Sequence, residues 1–429
     1  LGSRLYFPYG ATVSGELSVL VEFPGAPTSC NSLYSWLNTN PNFTLLDPEN
    51  PLPDDNSPSP YASDVWCYAT VGFDTQDTAK ALKQLRNQIK SQYGLSADKV
   101  TVSRNVLFSS DGGDFAHDPS CEDIQFWRDE NGYDALNIGQ LKNVTNAKAA
   151  HTAGIKGTGV VVGVIGGGVN PGNLSRPWQL RPGYNFIDPT TSPFDDFSCD
   201  FEPADGVADF TEHDTHVVEI ITKLAPKVKI EPLKVCDETG SCPSSEVTKA
   251  FLFMINKYVA NGKRVILNAS LGGPLPNSTH ITIIRRDDLQ AVDDLMIVAS
   301  AGNARSAPRH FIASYAEGTL SSANMGNVMA IGAVGRLAGT FTWDEAEFNV
   351  KNNYNLLAPG IKLAPATVGA PQPDVTGTSF AAPVATGIAA LYADAHVPTD
   401  LRSCLMNNAK TFAVLSEGFV YYDSAAVCP

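Results

Sequence analysis

From residue 377 the chain reads GTSFAAPVATGIAALYADA, small and apolar residues with no charge until Asp394. Ala381, Ala382, Ala385, Gly387, Ala389 and Ala390 make a helix slim enough to run through a packed core, so the rest of the chain must supply layers on its sides. A helix that opens near Ser379 also sets that hydroxyl at the positive end of the helix dipole. The layers are legible upstream. Apolar stretches at 160–165, 228–235, 265–270, 296–300 and 328–334 alternate with segments of helical patterning such as 247–261. This alternation predicts an α/β domain whose mostly parallel sheet is covered by helices on both faces. With 429 residues, 43% hydrophobic against 17% charged, the chain can bury such a core and is not disordered.

The first 108 residues follow a different plan. Strand patterns at 16–23, 43–46, 65–73 and 100–108 and helical patterns at 31–37 and 78–93 give the order βαββαβ, a small ferredoxin-like α+β unit. Segment 48–60 is a surface loop by its Pro, Asp and Asn content, and SSDGGDFAHDPS at 109–120 has almost nothing to bury. The domain boundary is placed in that second stretch, giving a unit at 1–120 and a larger one at 121–429.

Thirty Lys and Arg against 45 Asp and Glu leave a net charge of −15, which opposes binding to nucleic acid or to anionic lipid. No apolar run is long enough to predict a membrane span, and the opening LGSRLYFPYG lacks the charged-then-apolar pattern of a signal peptide, as expected if a leader has been removed. Eight cysteines form an even set without C-x-x-C spacing or neighbouring histidines, which favours disulfides in an extracellular or secretory compartment over a metal site. Their pairing stays open. Cys236 with Cys242, Cys404 with Cys428, Cys30 with Cys67 and Cys121 with Cys199 would each be a plausible bridge. Sequons at Asn42, Asn143, Asn173, Asn268 and Asn277 fit glycosylation on that route.

Four ordered motifs then narrow the chemistry. Gly377-Thr378-Ser379-Phe380-Ala381-Ala382-Pro383 resembles the nucleophile segment of subtilisin-like serine peptidases. Asn268-Ala269-Ser270-Leu271-Gly272-Gly273 is similar to the substrate-strand motif of that family, Val298-Ala299-Ser300-Ala301-Gly302-Asn303 to its oxyanion-hole motif, and Leu357-Ala358-Pro359-Gly360 to the segment preceding its serine. The resemblance implies a subtilisin-like fold, with Ser379 as nucleophile and Asn303 as oxyanion donor. It also implies Ser270, Leu271 and Gly272 as the strand that receives a peptide, where glycine admits another backbone. An amide suits an oxyanion because it donates without competing as a base. Asn268, lying within this motif, is expected to be buried. His213-Asp214-Thr215-His216-Val217 is similar to the family's histidine motif, making His213 the general base, with Asp214 in place of glycine. The first unit resembles, in element order, the family's inhibitory prodomain, which would make it a partner held in the cleft.

The acid position departs from the pattern. Val162-Gly163-Val164-Ile165 leads into Gly166-Gly167-Gly168, so the place of the family's aspartate is taken by Gly166, which has no acceptor to orient His213. In related protease chemistry, loss of that acid lowers kcat about 10⁴-fold. Asp214 lies one helical step, about 100°, from His213 and is expected to face elsewhere. Asp188, Asp195, Asp196 and Asp200 lie on loops that could fold back. A dinucleotide reading of the glycine cluster fails because Pro171 stands where G-x-G-x-x-G needs glycine. The expectation is therefore a secreted peptidase homologue that is catalytically inactive for want of the triad acid, a pseudopeptidase acting by binding a peptide or protein or as a structural component. The alternatives are an active serine endopeptidase with a surrogate acid, and an assembly or surface-coat protein. No cofactor is expected. The acidic stretch PFDDFSCDFEPADGVAD makes a structural calcium ion the one candidate, though without EF-hand spacing.

Overall fold

The computed structural model describes residues 12–23, 30–46, 65–73, 77–109, 132–194, 213–237, 240–259, 263–273, 280, 295–303, 305, 310–316, 325–365, 374–396, 400–426 and 428. The loop at 48–60, the junction at 110–120, Cys121, Cys199, Asn277 and most of the acidic stretch after Pro193 lie outside the described residues.

The first unit has the expected order: β1 (Thr12–Phe23), α1 (Cys30–Asn38), β2 (Thr44–Leu45), β3 (Val65–Gly72), α2 (Thr78–Tyr93) and β4 (Val100–Ser109). Its strands lie antiparallel in the order β2-β3-β1-β4. Strand alternation gives this sheet two apolar faces. Leu17, Val19 and Val21 pack with Leu33, Leu37, Leu85 and Ile89 of α1 and α2. Leu20, Tyr68 and Phe108 instead join a cluster shared with the larger unit. A disulfide between Cys30 and Cys67 ties α1 to β3.

The larger unit runs β5 (Leu136–Asn137), α3 (Ile138–Val144), α4 (Ala147–Thr152), β6 (Val161–Gly166), β7 (Tyr184–Asn185), α5 (His213–Leu224), β8 (Lys229–Lys234), β9 (Ser241–Pro243), α6 (Ser244–Lys257), β10 (Val265–Ala269) and β11 (Leu295–Ser300). It continues with β12 (Val328–Arg336), β13 (Trp343–Glu345), β14 (Leu356–Pro359), β15 (Leu363–Ala364), α7 (Thr378–His396), α8 (Leu401–Asn407) and β16 (Gly418–Phe419). The main sheet has the order β16-β14-β12-β11-β10-β6-β8-β7, every neighbouring pair parallel, and β13 adds antiparallel to β12. β5 and β15 pair separately. Val162 and Val164 point to the face covered by α5 and α7, Val161 and Ile165 to the face covered by α6, so β6 is apolar on both sides. The expected doubly covered α/β architecture is what forms.

α7 is the slim helix, and its contacts show why it is slim. A Cβ on Gly387 would lie 2.7 Å from the Cβ of Leu224, so glycine lets α7 pass against the end of α5. Disulfides join Cys236 to Cys242 and Cys404 to Cys428.

The two units meet by strand addition. β4 pairs antiparallel with β9, Phe108 opposite Cys242 and Ser109 opposite Ser241. Beside it, the side-chain oxygen of Asn105, Oδ1, accepts from the Ser245 backbone N–H at 2.9 Å and from the Ser244 hydroxyl at 3.1 Å. Asn105 thereby caps α6, whose own flanking residue Pro243 makes no side-chain cap bond. This explains a boundary shift: periodicity places the helix at 247–261, whereas α6 begins at Ser244, because its first turn is satisfied from another unit.

Candidate active site

β6, β10 and β11 are neighbours in register, Ala269 level with both Ile165 and Ala299, so Gly166, Ser270 and Ser300 stand together at the carboxyl ends of the strands. In open α/β sheets this edge is where ligands bind. α5 and α7 bring the remaining groups to it.

At the start of α7, Gly377 accepts backbone hydrogen bonds from Phe380 and Ala381 and takes φ +152°, a conformation that suits glycine. Its N–H donates to the Gly360 carbonyl at 2.8 Å, and a Cβ on Gly360 would lie 2.9 Å from that of Ala381. The Leu357–Gly360 motif thus seats the helix start. Asn303 is held on the other side. Its Oδ1 accepts from the Thr378 backbone N–H and hydroxyl, both at 2.9 Å, while the Thr378 hydroxyl accepts from the Gly302 N–H at 3.0 Å. With the oxygen so engaged, the amide nitrogen faces the other way. A Cβ placed on Gly377 would lie 3.1 Å from Ser379 Oγ and 3.2 Å from Asn303 Nδ2, so hydroxyl and amide border the same small space.

Ser270 acts as an internal brace. Its hydroxyl donates to the Ser379 carbonyl at 2.6 Å and accepts from Asn268 Nδ2 at 2.9 Å, and Asn268 Oδ1 accepts from Thr386 of α7 at 2.9 Å. Asn268 is fully buried by this chain of bonds, in keeping with the expectation for its sequon. The Leu271 side chain lies in the core.

His213 opens α5, its ring packed 5.0 Å from that of Phe380, the residue after Ser379. Here one expectation is corrected. Asp214 does not face away: its Oδ1 lies 3.0 Å from His213 Nδ1. Side chains on a helix lean toward its N-terminus, so the 100° step between neighbours does not by itself keep their outer atoms apart. Space for the carboxylate comes from Gly166. A Cβ on that residue would lie 2.5 Å from both Cγ and Oδ1 of Asp214. The Gly167 N–H donates to the second oxygen, Oδ2. The glycine that removes the expected acid and the aspartate that replaces a motif glycine are therefore one arrangement. Both His213 and Asp214 are buried, and a carboxylate accepting from Nδ1 fixes the tautomer with its lone pair on Nε2.

The neighbouring His216 is pushed down to about 4, by burial first and then by the nearby His213. Of the other candidate carboxylates, Asp188 is engaged with Thr190 and Thr191 in its own loop, and Asp195, Asp196 and Asp200 lie outside the described residues. Among the described residues, no group of three or more His, Cys, Asp or Glu is placed to hold a metal ion, and no helix is long and apolar enough to cross a membrane.

Comparison with known proteins matches this layout. The model of the subtilase family covers residues 157–421. Subtilisin NAT of Bacillus subtilis subsp. natto is 26% identical over 300 residues, 68% of each chain. Subtilisin Savinase of Lederbergia lenta is 25% identical over 256 residues, 57% of this chain and 80% of its own. A solved structure of a cold-adapted subtilisin-like serine proteinase aligns at a TM-score of 0.45 and 22% identity, covering 62% of this chain and 90% of that one. With a family model matched over more than half its length, around a serine, a histidine and an asparagine at the sheet's carboxyl edge, the chain belongs to the subtilase family.

Proposed function

We propose that this chain is a working serine endopeptidase in which Asp214 has taken over the part of the missing acid. The observation that carries the reading is the 3.0 Å contact between Asp214 Oδ1 and His213 Nδ1. The case for an inactive homologue rested on the want of an acceptor for His213, and that acceptor is present.

In this reading Ser379 Oγ attacks the scissile carbonyl carbon as His213 Nε2 takes its proton. Asp214 holds the ring in the required tautomer and stabilises the imidazolium, while the Gly167 N–H keeps the carboxylate in place. The developing oxyanion receives a hydrogen bond from Asn303 Nδ2 at the positive end of α7. The carbon–nitrogen bond then breaks, His213 returns its proton to the leaving amine, and water hydrolyses the acyl-enzyme by the same steps in reverse.

The first unit is, in this proposal, an intramolecular ligand of the peptidase unit, and the boundary at 109–120 is the place where they would be separated. The β4–β9 pairing and the Asn105 cap support it. Secretion is proposed from the three bridges among the described residues, since disulfides persist in oxidising compartments.

Labelling with a fluorophosphonate probe tests the assignment. The expected result is modification that disappears in Ser379→Ala and slows strongly in Asp214→Asn. Failure of the folded protein to label would return the reading to an inactive homologue.

A further inference from the structure

Pro383 stands inside α7, four residues after Ser379. In an α-helix each N–H bonds the carbonyl four residues earlier, but proline has no N–H and its ring crowds that carbonyl. The carbonyl that loses its helical partner here is the nucleophile's own. Ser379 is buried, where an unpaired carbonyl is costly, so a donor must come from elsewhere.

The chain just beyond β10 supplies it. The Ser270 hydroxyl donates to the Ser379 carbonyl at 2.6 Å, and its neighbours set the direction of that bond. Asn268 Nδ2, 2.9 Å from Ser270 Oγ, can only donate, so the serine oxygen accepts there and its single hydrogen is left for the carbonyl. Asn268 Oδ1 accepts from the Thr386 hydroxyl at 2.9 Å, which fixes the way the amide points. The donors therefore start on α7, cross β10 and return to α7 at the nucleophile. Asn268, Ser270 and Thr386 are all buried, which strengthens each bond by keeping water from it. The preceding peptide unit is held from the adjacent parallel strand, where Asn303 beyond β11 accepts from the Thr378 N–H. Two neighbouring strands thus grip the main chain on either side of Ser379.

This step rests on the peptidase reading above. We infer that Ser270 is a positioning residue for the nucleophile, its hydroxyl taking the place of the helical donor that Pro383 lacks and so fixing Ser379 relative to Asn303 and His213. Ser270 acts only through the main chain of Ser379. That is enough to matter, because a displacement of about 1 Å at a reacting group costs about 10²-fold in rate.

The test uses the full chain on a fluorogenic peptide, with rates divided by the concentration of sites titrated with the fluorophosphonate probe. Ser270→Ala should lower kcat about tenfold and slow labelling to match, with KM within about twofold. Pro383→Ala gives residue 383 an N–H and the Ser379 carbonyl a helical partner. In that background Ser270→Ala should cost less than about threefold, whatever Pro383→Ala costs alone. A bond that only added stability would lower the melting temperature and leave kcat per titrated site in place. If Ser270→Ala fails to fold, Thr386→Val reads the same coupling from the far end of the bonded chain, with a fall in kcat of at least about twofold that vanishes beside Pro383→Ala. An unchanged kcat, or an equal loss with and without Pro383, overturns this inference alone. Failure of the unaltered folded protein to label overturns it together with the peptidase reading.

Discussion

Exchanging the residues at 166 and 214 separates a relocated acid from an absent one. Asp214→Asn keeps the shape but loses the charge that stabilises protonated His213. Removal of the acid in comparable triads lowers kcat about 10⁴-fold, so a similar fall, about 5.5 kcal/mol of transition-state stabilisation, is expected here. Restoring the family residue alone should not help. Gly166 is not among the glycines of positive φ, so its backbone would accept aspartate, but the new Cβ would lie 2.5 Å from Cγ of Asp214 and set two carboxylates in one buried site. Gly166→Asp is therefore expected to be less stable and less active than the unaltered chain. Combining it with Asp214→Gly clears that space and offers His213 an acceptor from β6, and this double variant should recover at least tenfold over Asp214→Gly. Initial rates on a fluorogenic peptide, normalised to folded protein by circular dichroism, read all four variants. An Asp214→Asn variant within tenfold of the unaltered chain, or a Gly166→Asp variant that gains activity, would refute the reasoning.

Asn303→Ala should lower kcat by about 10²- to 10³-fold with little change in KM, the mark of a donor used mainly in the transition state, as steady-state kinetics would show. His216, His280 and His310 are each held neutral by burial, with folded values of about 4 against an ordinary 6.5. The unfolded chain thus binds more protons between those limits, so stability is level above pH 6.5 and declines as the pH falls toward 4. The decline is roughly 3 kcal/mol per histidine. Urea midpoints measured across that range should show it, with a shallower slope for His280→Gln. Asn105→Ala strips α6 of its cap and leaves the Ser245 N–H without that acceptor; a loss of about 1–3 kcal/mol is expected, read as a lower melting temperature of the full chain.

Much of this protein could be read along the chain because the relevant signals are local. Two-sided apolar strands such as 161–166, the slim helix at 378–396 and the motifs around Asn303 and Ser379 record how each segment must pack, and burial enforces that pattern residue by residue. The βαββαβ order of the first unit was legible for the same reason. The short edge strands β7 and β16 were not, since two residues carry no period and pair only because a neighbouring strand is already in place. Nor could periodicity reveal that Asn105 of one unit supplies the first hydrogen bond of a helix in another.

The site divides in the same way. Residue types named Ser379, His213 and Asn303, but a linear pattern records an acid only at its usual position, and there it found Gly166. Whether Asp214 could serve depended on two facts outside any local rule: its side chain turns toward the His213 ring, and β6 presents a glycine at the point where they meet. Sequence determined which groups were available, because chemistry resides in the side chains. Tertiary structure alone decided which of them touch, because contact depends on the space that other residues leave empty.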